Sequence, residues 1–229
     1  MKIFIFLLLI FSHSLLAHQP KLINYSPSLN NAHIVVEPEV SKAYYGKLSG
    51  EPHYYKIVSD KSFLFYAGIL SPKTSDKYKW LSLDVIDKNN NIIYQADGSK
   101  HNWKEWYEPY ARDWYWKGPE IGLDNKKEFK TSFTIEPGTY LIKVFSEKNI
   151  GNYSLAIGEE EFFGSNLWEK ILTWSPIIFY IGPYMDIYHW TKFDIRAFIP
   201  HIFLLVLLFI LYFIIKKLFF NKKRRYFYH

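Results

Sequence analysis

Residues 133–157 read FTIEPGTYLIKVFSEKNIGNYSLAI, and they show the pattern of β-strands clearly. It contains two segments in which apolar and polar side chains alternate, Thr139–Ser146 and Asn152–Ile157. Alternation with a period of two is typical of β-strands that bury one face. The short connection between them is typical of the hairpin that closes many β-sandwiches. This end of the domain therefore predicts antiparallel β-structure.

Short segments of the same kind lie upstream of this stretch. They are rich in Val, Ile, Tyr, Phe and Thr, and turn residues separate them. They are Ser41–Leu48, His53–Ser59, Ser62–Leu70, Trp80–Asp87, Asn91–Ala96 and Glu128–Ile135. Together with Thr139–Ser146 and Asn152–Ile157, these segments predict roughly eight or nine strands. Strands in this number are expected to form two packed sheets. The predicted fold class is mainly β, an antiparallel β-sandwich at 33–160 that follows a linker at 18–32.

Two of the connections have the composition of defined turns. Residues 87–91, DKNNN, join two predicted strands through side chains that tolerate left-handed backbone conformations, so we expect a hairpin turn there. Glu136-Pro137-Gly138 places proline and glycine at the central positions of a type II turn. Both turns agree with the strand assignment.

The closing pattern of the domain resembles the bacterial pre-peptidase C-terminal domain, a jelly-roll-like β-sandwich. In that family P-G-T-Y-x-(V/I)-x-V followed by G-x-Y-x-L ends the domain. The matching residues are Pro137, Gly138, Tyr140, Ile142, Val144, Gly151, Tyr153 and Leu155. The resemblance implies an accessory or binding module without a catalytic centre, here in a stand-alone, membrane-anchored form.

Both ends of the chain have the composition of membrane-targeting segments. Residues 1–17, MKIFIFLLLIFSHSLLA, follow the order of a secretory signal peptide. Near the other end, Ile202–Ile215 is an uninterrupted apolar run, and we predict a single C-terminal transmembrane helix at 197–219. A basic tail at 220–229 follows it.

The positive charge of the chain is local. The formal net charge is +6, and six basic residues lie between positions 216 and 225. Without them, 22 basic residues face 22 acidic ones, which argues against a nucleic-acid partner. The cluster instead indicates the cytoplasmic side of a cell membrane and places the N-terminal domain outside. Lys216 and Lys217 are expected at the lipid head groups.

The segment at 161–196 is rich in aromatic residues and is interrupted by prolines. Rings of this kind favour the membrane interface, where apolar faces enter the acyl chains and polar tips stay hydrated. We expect an interfacial collar, and the alternatives are packing against the sandwich and a subunit interface. The predicted interface residues are Trp174, Tyr180, Tyr184, Tyr188 and Trp190.

The most unusual part of the domain is residues 98–122, which we interpret as a long loop. Aromatic rings beside charged groups suit stacking on a sugar or burial in a protein partner. A lid over one end of the sandwich is the interpretation we favour for this segment, with contact to a ligand or partner second and contact with the membrane third. The candidate binding residues are Trp103, Trp106, Tyr107, Tyr110, Arg112, Trp114 and Trp116.

A copper site is a second hypothesis. Signal cleavage after Ala17 would make His18 the mature N-terminus, whose α-amine and imidazole can both bind copper. His33 or His53 would complete the site after folding.

A third hypothesis is a cargo-receptor-like protein of the secretory pathway, in which Asn24 and Asn152 would be glycosylation acceptors. The chain has no cysteine for the disulfide that such receptors carry in the sandwich.

The sequence has no recognisable catalytic motif and implies no cofactor. We therefore expect a non-enzymatic single-pass membrane protein whose extracytoplasmic β-sandwich binds a protein partner or a glycan at the cell envelope.

Overall fold

The structure is a computed structural model that describes residues 18–73, 79–108, 113–124, 129–162, 206–214 and 216–217. The chain divides into two compact units, Met1–Ile187 and Tyr188–His229. The first unit contains all the described β-structure. Its strands are β1 (Gln19–Leu22), β2 (His33–Ile34), β3 (Lys42–Ser49), β4 (His53–Ser59), β5 (Phe63–Phe65), β6 (Ala67–Pro72), β7 (Ser82–Ile86), β8 (Ile92–Ala96), β9 (Lys104–Glu108), β10 (Asp113–Ile121), β11 (Phe133–Ile135), β12 (Gly138–Phe145) and β13 (Ile150–Ile157).

The described strands form two larger sheets and one small one. The six-stranded sheet has the order β1-β3-β13-β6-β10-β9, and the five-stranded sheet has the order β2-β4-β12-β7-β8. Strands β11 and β5 pair separately. Most neighbours are antiparallel, whereas the edge pairs β1-β3 and β2-β4 are parallel. The fold is therefore mainly β, and the predicted β-sandwich is confirmed.

The core draws side chains from both large sheets. Leu155 and Ile69 of the six-stranded sheet and Ile142 and Leu83 of the five-stranded sheet are buried members of one apolar cluster. Alternate residues on β12 are buried, as the period-two pattern predicts. Burial of this apolar surface supplies the main stabilisation of a domain without disulfides.

The segments Thr139–Ser146 and Asn152–Ile157 form strands as predicted, but the two strands do not form a hairpin. Strand β12 lies between β4 and β7, whereas β13 lies between β3 and β6 in the other large sheet. The connection between them therefore crosses from one sheet to the other. Asn149 and Gly151 adopt positive φ angles of 48° and 126° at this crossing.

One predicted turn is confirmed and the other is wrong. Residues 87–91 join the antiparallel strands β7 and β8, and the Asp87 carboxylate accepts hydrogen bonds from the backbone N–H groups of Asn89 and Asn91 at 2.8 Å each. Gly138 has no positive φ, so the predicted type II turn does not form. Instead it begins β12, where a Cβ atom would lie 3.2 Å from the ring of Tyr140.

The N-terminal part of the domain contains more strand than predicted. Residues 18–32, predicted as a linker, include β1, which pairs with β3 in parallel. The predicted strand Ser62–Leu70 is divided at Tyr66 into β5 and β6, which lie in different sheets. In the predicted strand Glu128–Ile135, the described strand residues are Phe133–Ile135. Short edge strands of this kind give a weak periodic signal.

Residues 98–122 are not a long loop. They contain β9 and β10, which pair as an antiparallel hairpin from Asp113 opposite Glu108 to Lys117 opposite Lys104. Tryptophan and tyrosine favour strands, and here they lie on both faces of the hairpin, so no simple apolar alternation indicates it. The hairpin forms one edge of the six-stranded sheet.

In the second unit, residues 206–214 and 216–217 are α-helical, and Lys216 and Lys217 are exposed. Within the part of the chain that the structure describes, no helical segment has the length and apolar character that a membrane span requires. The rest of the predicted span at 197–219 lies outside the described residues, as do the predicted signal peptide and the basic tail. The predicted interface residues Trp174, Tyr180, Tyr184, Tyr188 and Trp190 also lie outside them.

Candidate functional site

The β9–β10 hairpin places several predicted binding residues on one side. Tyr107 is opposite Trp114, and Glu105 is opposite Trp116. Trp116 is in turn opposite Ser71 of β6, whose side of the sheet is that of the core residue Ile69. Residues that are directly opposite each other on neighbouring strands point to the same face of a sheet, and so does every second residue along one strand. This side of the hairpin is therefore continuous with the core-facing side of the sheet.

This side changes from buried to exposed along the hairpin. Trp116 packs against the core, whereas Trp114 is 47% exposed and Tyr107 is 42% exposed. The centroids of the Trp114 and Tyr107 rings are 5.4 Å apart. The core thus continues into a solvent-facing pair of aromatic rings that two hydrogen-bonded strands hold in place.

Two lysines and one glutamate lie beside the tryptophans of this side, Trp114 and Trp116. The Nζ atom of Lys73 lies 5.6 Å from the Trp114 ring centroid and 5.7 Å from that of Trp116. It also lies 2.7 Å from Oε1 of Glu105. Lys79 places its Nζ atom 3.6 Å from the Trp116 centroid, which is close contact for a cation over a ring face. We call this set the aromatic-basic face: Lys73, Lys79, Glu105, Tyr107, Trp114 and Trp116.

Two other predicted binding residues, Trp103 and Trp106, pack against side chains of the domain itself. Trp103 is a buried core residue, and its indole Nε1 donates a hydrogen bond of 2.7 Å to the carbonyl of Gly98. Trp106 lies on the opposite side of the hairpin, where its ring packs against Phe129 at 5.2 Å. The lid interpretation therefore describes Trp103 better than it describes Trp114. Tyr110 and Arg112 lie outside the described residues.

The sequence did not indicate two members of the aromatic-basic face. Lys73 follows β6 and Lys79 precedes β7, whereas Glu105 lies on β9, within the segment whose charged groups the sequence indicated. The lysines are more than 30 positions from Trp114 along the chain, so only the pairing of β6 with β10 brings Lys73 to the rings. No local pattern carries that information.

The three histidines of the copper hypothesis have separate surroundings. His18 bonds to the Ser41 hydroxyl through Nδ1. His33 bonds to the Tyr25 hydroxyl at 2.8 Å, and His53 bonds to Tyr153. Among the described residues, no group of three or more His, Asp or Glu side chains is placed to hold a metal ion. Copper binding at His18 with His33 or His53 stays a prediction.

A buried polar network crosses the interior of the sandwich. His53 Nδ1 lies 2.7 Å from the Tyr153 hydroxyl, which lies 2.7 Å from the Tyr55 hydroxyl. Burial lowers the pKa of His53 to about 4 and raises the pKa of Tyr153. All three groups are therefore neutral at pH 7, and the network is a hydrogen-bonded part of the core.

The two candidate glycosylation acceptors differ in exposure. Asn24 is exposed, whereas Asn152 is buried on β13 in the middle of the six-stranded sheet. A glycan cannot be accommodated at a side chain enclosed by packed strands. The folded domain therefore does not present Asn152 for glycosylation.

No protein-family description matches the sequence, and no curated protein matches it. Among solved structures, the chain is similar to the pre-peptidase C-terminal domain of collagenase from Bacillus anthracis, with 11% identity over 59% of this chain and 98% of that chain, and a TM-score of 0.35. A β-glucosidase from Paenibacillus barengoltzii is similar at 10% identity over 61% of this chain and 13% of that chain, with a TM-score of 0.23. Both likenesses are weak, and the β-sandwich assignment rests on the strand pairing of this chain.

Proposed function

We propose that this protein is a non-enzymatic binding module of the cell envelope, and that its aromatic-basic face contacts a protein partner or a glycan. The observation that carries the proposal is the exposed ring pair of Tyr107 and Trp114 on a paired hairpin. The sequence resemblance to pre-peptidase C-terminal domains agrees with a module that binds and does not catalyse.

The position of the rings favours binding over a purely structural role. Aromatic side chains provide large contact areas at a low cost in conformational entropy, and they are enriched at the centres of interfaces. Trp114 leaves nearly half of its surface to solvent, whereas Trp103 is enclosed by the core. Burial of the exposed half would add to affinity without a rearrangement of the hairpin.

The location we propose depends on the ends of the chain. The signal-like residues 1–17, the apolar run at 202–215 and the basic cluster after it favour a single-pass protein with the sandwich outside and the tail inside. The aromatic segment at 161–196 would hold the sandwich near the lipid surface. The partners proposed are therefore the lipid bilayer and a protein or glycan of the envelope.

Substitution of the exposed rings tests the proposed function. The full chain in detergent is assayed for binding to a panel of envelope glycans and purified envelope proteins. We expect Trp114→Ala and Tyr107→Ala to weaken the strongest interaction at least tenfold while Tm stays within about 2 °C of wild type, because exposed surface substitutions change stability little.

The matched control is Tyr25→Ala, which removes a ring of similar exposure elsewhere on the domain. It should bind as wild type does. Unchanged binding by Trp114→Ala, or an equal loss in Tyr25→Ala, would contradict the proposed function. Trp116→Ala should lower Tm as well, because that ring packs against the core.

A further inference from the structure

We propose that the edge strand β8 binds the same strand of a second copy of this chain, in antiparallel orientation, so that two five-stranded sheets join into one. This surface is separate from the aromatic-basic face, whose hairpin belongs to the six-stranded sheet. The inference depends on how the edge strands of the two larger sheets, β1, β9, β2 and β8, differ from one another.

Three of these edges carry features that hinder pairing with a further strand. An edge strand presents unpaired backbone N–H and C=O groups, and proteins block it with charged side chains, with proline or by making the strand very short. Strand β1 contains Pro20 and Lys21, and β2 has only two residues. Strand β9 carries three charged residues, Lys104, Glu105 and Glu108.

Strand β8 has none of these three features. It reads IIYQA, without a charge or a proline, and among the described strands it pairs with β7 alone. Ile92 is 54% exposed, and Ile93, Tyr94 and Gln95 are exposed as well. An uncharged, exposed edge of β-branched and aromatic residues is the kind that accepts another strand.

One irregularity of β8 lies at its beginning. A bulge interrupts the pairing with β7 between Ile92 and Tyr94 and bends that end of the strand. From Tyr94 to Ala96 the pairing with β7 is regular. The second half of β8 therefore keeps the straight geometry that a further strand requires.

The composition of β8 favours its own copy as the partner. Two identical antiparallel strands related by a two-fold axis place one residue opposite itself and the others opposite residues of the same segment. A charged strand would oppose its own like charges, which destabilises a strand pair, whereas β8 has no charge to oppose. The assembly closes at two copies, because each copy uses its one unprotected edge.

Aliphatic side chains on the outer face of the five-stranded sheet lead to this edge. Leu141 of β12 is opposite Ile86 of β7, and Ile86 is opposite Ile92 of β8. The three side chains therefore form one row across neighbouring strands, and Ile92 is the most exposed of them. Pairing of two β8 strands would bring the second copy beside Ile92 and remove part of its apolar surface from water.

Disulfide cross-linking tests the pairing, because the chain has no cysteine of its own. Single cysteines are introduced into the full chain in detergent as Ile92→Cys, Ile93→Cys, Tyr94→Cys and Gln95→Cys. One residue of the strand faces its own copy, so we expect the disulfide-linked dimer to form roughly fivefold faster at one of these positions than at the others. Lys104→Cys, an exposed position on the charged edge β9, is the control and should remain monomeric.

A charge placed on the edge tests the same contact without a cross-link. Sedimentation of the full chain in density-matched detergent should show a concentration-dependent dimer. We expect Ile92→Lys to lower its association constant roughly tenfold, because two lysines then enter one strand pair. Ile34→Lys is the matched control, since Ile34 is 55% exposed at the opposite edge of the same sheet, and it should dimerise as wild type does.

Several results would overturn the inference. They are a monomer at every concentration, cross-linking at Lys104→Cys as fast as at any β8 position, and a dimer that Ile92→Lys leaves unchanged or that Ile34→Lys weakens equally. A monomeric chain whose β8 instead pairs with a strand of another protein would also contradict it. These outcomes do not bear on the aromatic-basic face, because the binding of Trp114→Ala tests that surface separately.

Discussion

Among single residues, Gly46 stands out because the ring of Tyr153 passes close over it in the interior. Tyr153 of β13 extends across β3 at Gly46, and its hydroxyl joins His53 and Tyr55. A Cβ atom at Gly46 would lie 2.5 Å from both Cζ and Oη of Tyr153. Glycine is therefore required at position 46 by the ring that passes over it, since the Tyr153 hydroxyl is held at both sides and cannot move away freely.

The substitution Gly46→Ala tests this packing. We expect it to lower the free energy of unfolding by about 1–3 kcal/mol, because the added methyl group overpacks a fully buried site. Urea denaturation of the purified protein measures the change. Lys47→Ala, at the exposed neighbouring position, should change stability by less than about 0.5 kcal/mol. Equal stability of Gly46→Ala and wild type would show that Tyr153 is not confined as described.

His53 predicts a dependence of stability on pH. The residue is 1% exposed, and burial lowers its pKa from 6.5 to about 4. Below pH 6.5 the unfolded chain binds a proton at this histidine that the folded chain does not bind, so stability falls as the pH drops from about 6.5 to about 4. Above pH 6.5 this contribution is constant.

The variant His53→Gln isolates this effect from other titrating groups. It should be less stable than wild type at pH 7, and the gap should narrow by about 2–3 kcal/mol as the pH falls to 4, because glutamine does not titrate. Chemical denaturation at several pH values measures both proteins. A gap that is the same at pH 7 and pH 4 would contradict a neutral buried His53.

At the scale of elements, the β9–β10 hairpin combines two roles on different residues. Trp103, just before β9, fills the core and bonds to Gly98, whereas Tyr107 and Trp114 continue the same side of the sheet into solvent. The part of the hairpin next to the core is therefore structural, and the part beyond it is available for contact. Lys73 reaches this exposed part from the end of β6.

Tryptophan substitutions should separate these roles by their cost in stability. We expect Trp103→Ala to reduce the free energy of unfolding by about 3–5 kcal/mol, as removal of a large buried ring does. Trp114→Ala should cost less than about 1 kcal/mol, because the ring is 47% exposed. Thermal unfolding followed by circular dichroism compares the two. A larger loss of stability for Trp114→Ala than for Trp103→Ala would contradict the assignment of Trp103 to the core and of Trp114 to the exposed surface.

The sequence predicted strands well where one face is buried, and it did not predict their partners. The segment His53–Ser59 coincides with β4, and the turn at 87–91 forms as expected, because both signals are local. The placement of β12 and β13 in different sheets depends on pairing with β4 and β3, which are far away in sequence. The hairpin at 98–122 was missed because its aromatic residues occupy both faces.

The candidate site could be predicted only in part, because its composition is a local property of the sequence and its arrangement depends on strand pairing. The composition of the segment indicates Tyr107 and Trp114 as candidate binding residues. It does not show that these two rings are exposed and that Trp103 is buried, because that depends on how β9 and β10 pair. Lys73 and Lys79 join the rings only through the fold. Residue types that suit binding were thus visible in the sequence, but their arrangement was not.

At the scale of the whole molecule, the proposal combines a folded binding domain with an anchored C-terminal end. The described strands form the sandwich, and we propose that the apolar run at 202–215 and the basic cluster anchor and orient it. This arrangement would keep the aromatic-basic face close to a lipid surface. The orientation of the chain is then a property that can be measured separately from binding.

The absence of cysteine makes the orientation directly testable. Single substitutions Lys47→Cys in the sandwich and Lys222→Cys in the tail provide one thiol each. We expect a membrane-impermeant maleimide to label position 47 in cells whose outer barrier has been opened but whose cell membrane is intact, and to label position 222 only after that membrane is lysed. Labelling of both positions with the cell membrane intact would contradict a cytoplasmic tail.

Oxidative footprinting in the native envelope measures directly whether the aromatic-basic face is covered by a partner. Oxidation of Trp114 and Tyr107 by hydroxyl radicals is compared between whole cells and the purified protein, with the exposed Tyr25 as the internal reference. If the face is a binding surface, Trp114 and Tyr107 should be oxidised several-fold more slowly in the envelope, while Tyr25 is unchanged. Equal oxidation of Trp114 in both settings, relative to Tyr25, would contradict a binding role for this face.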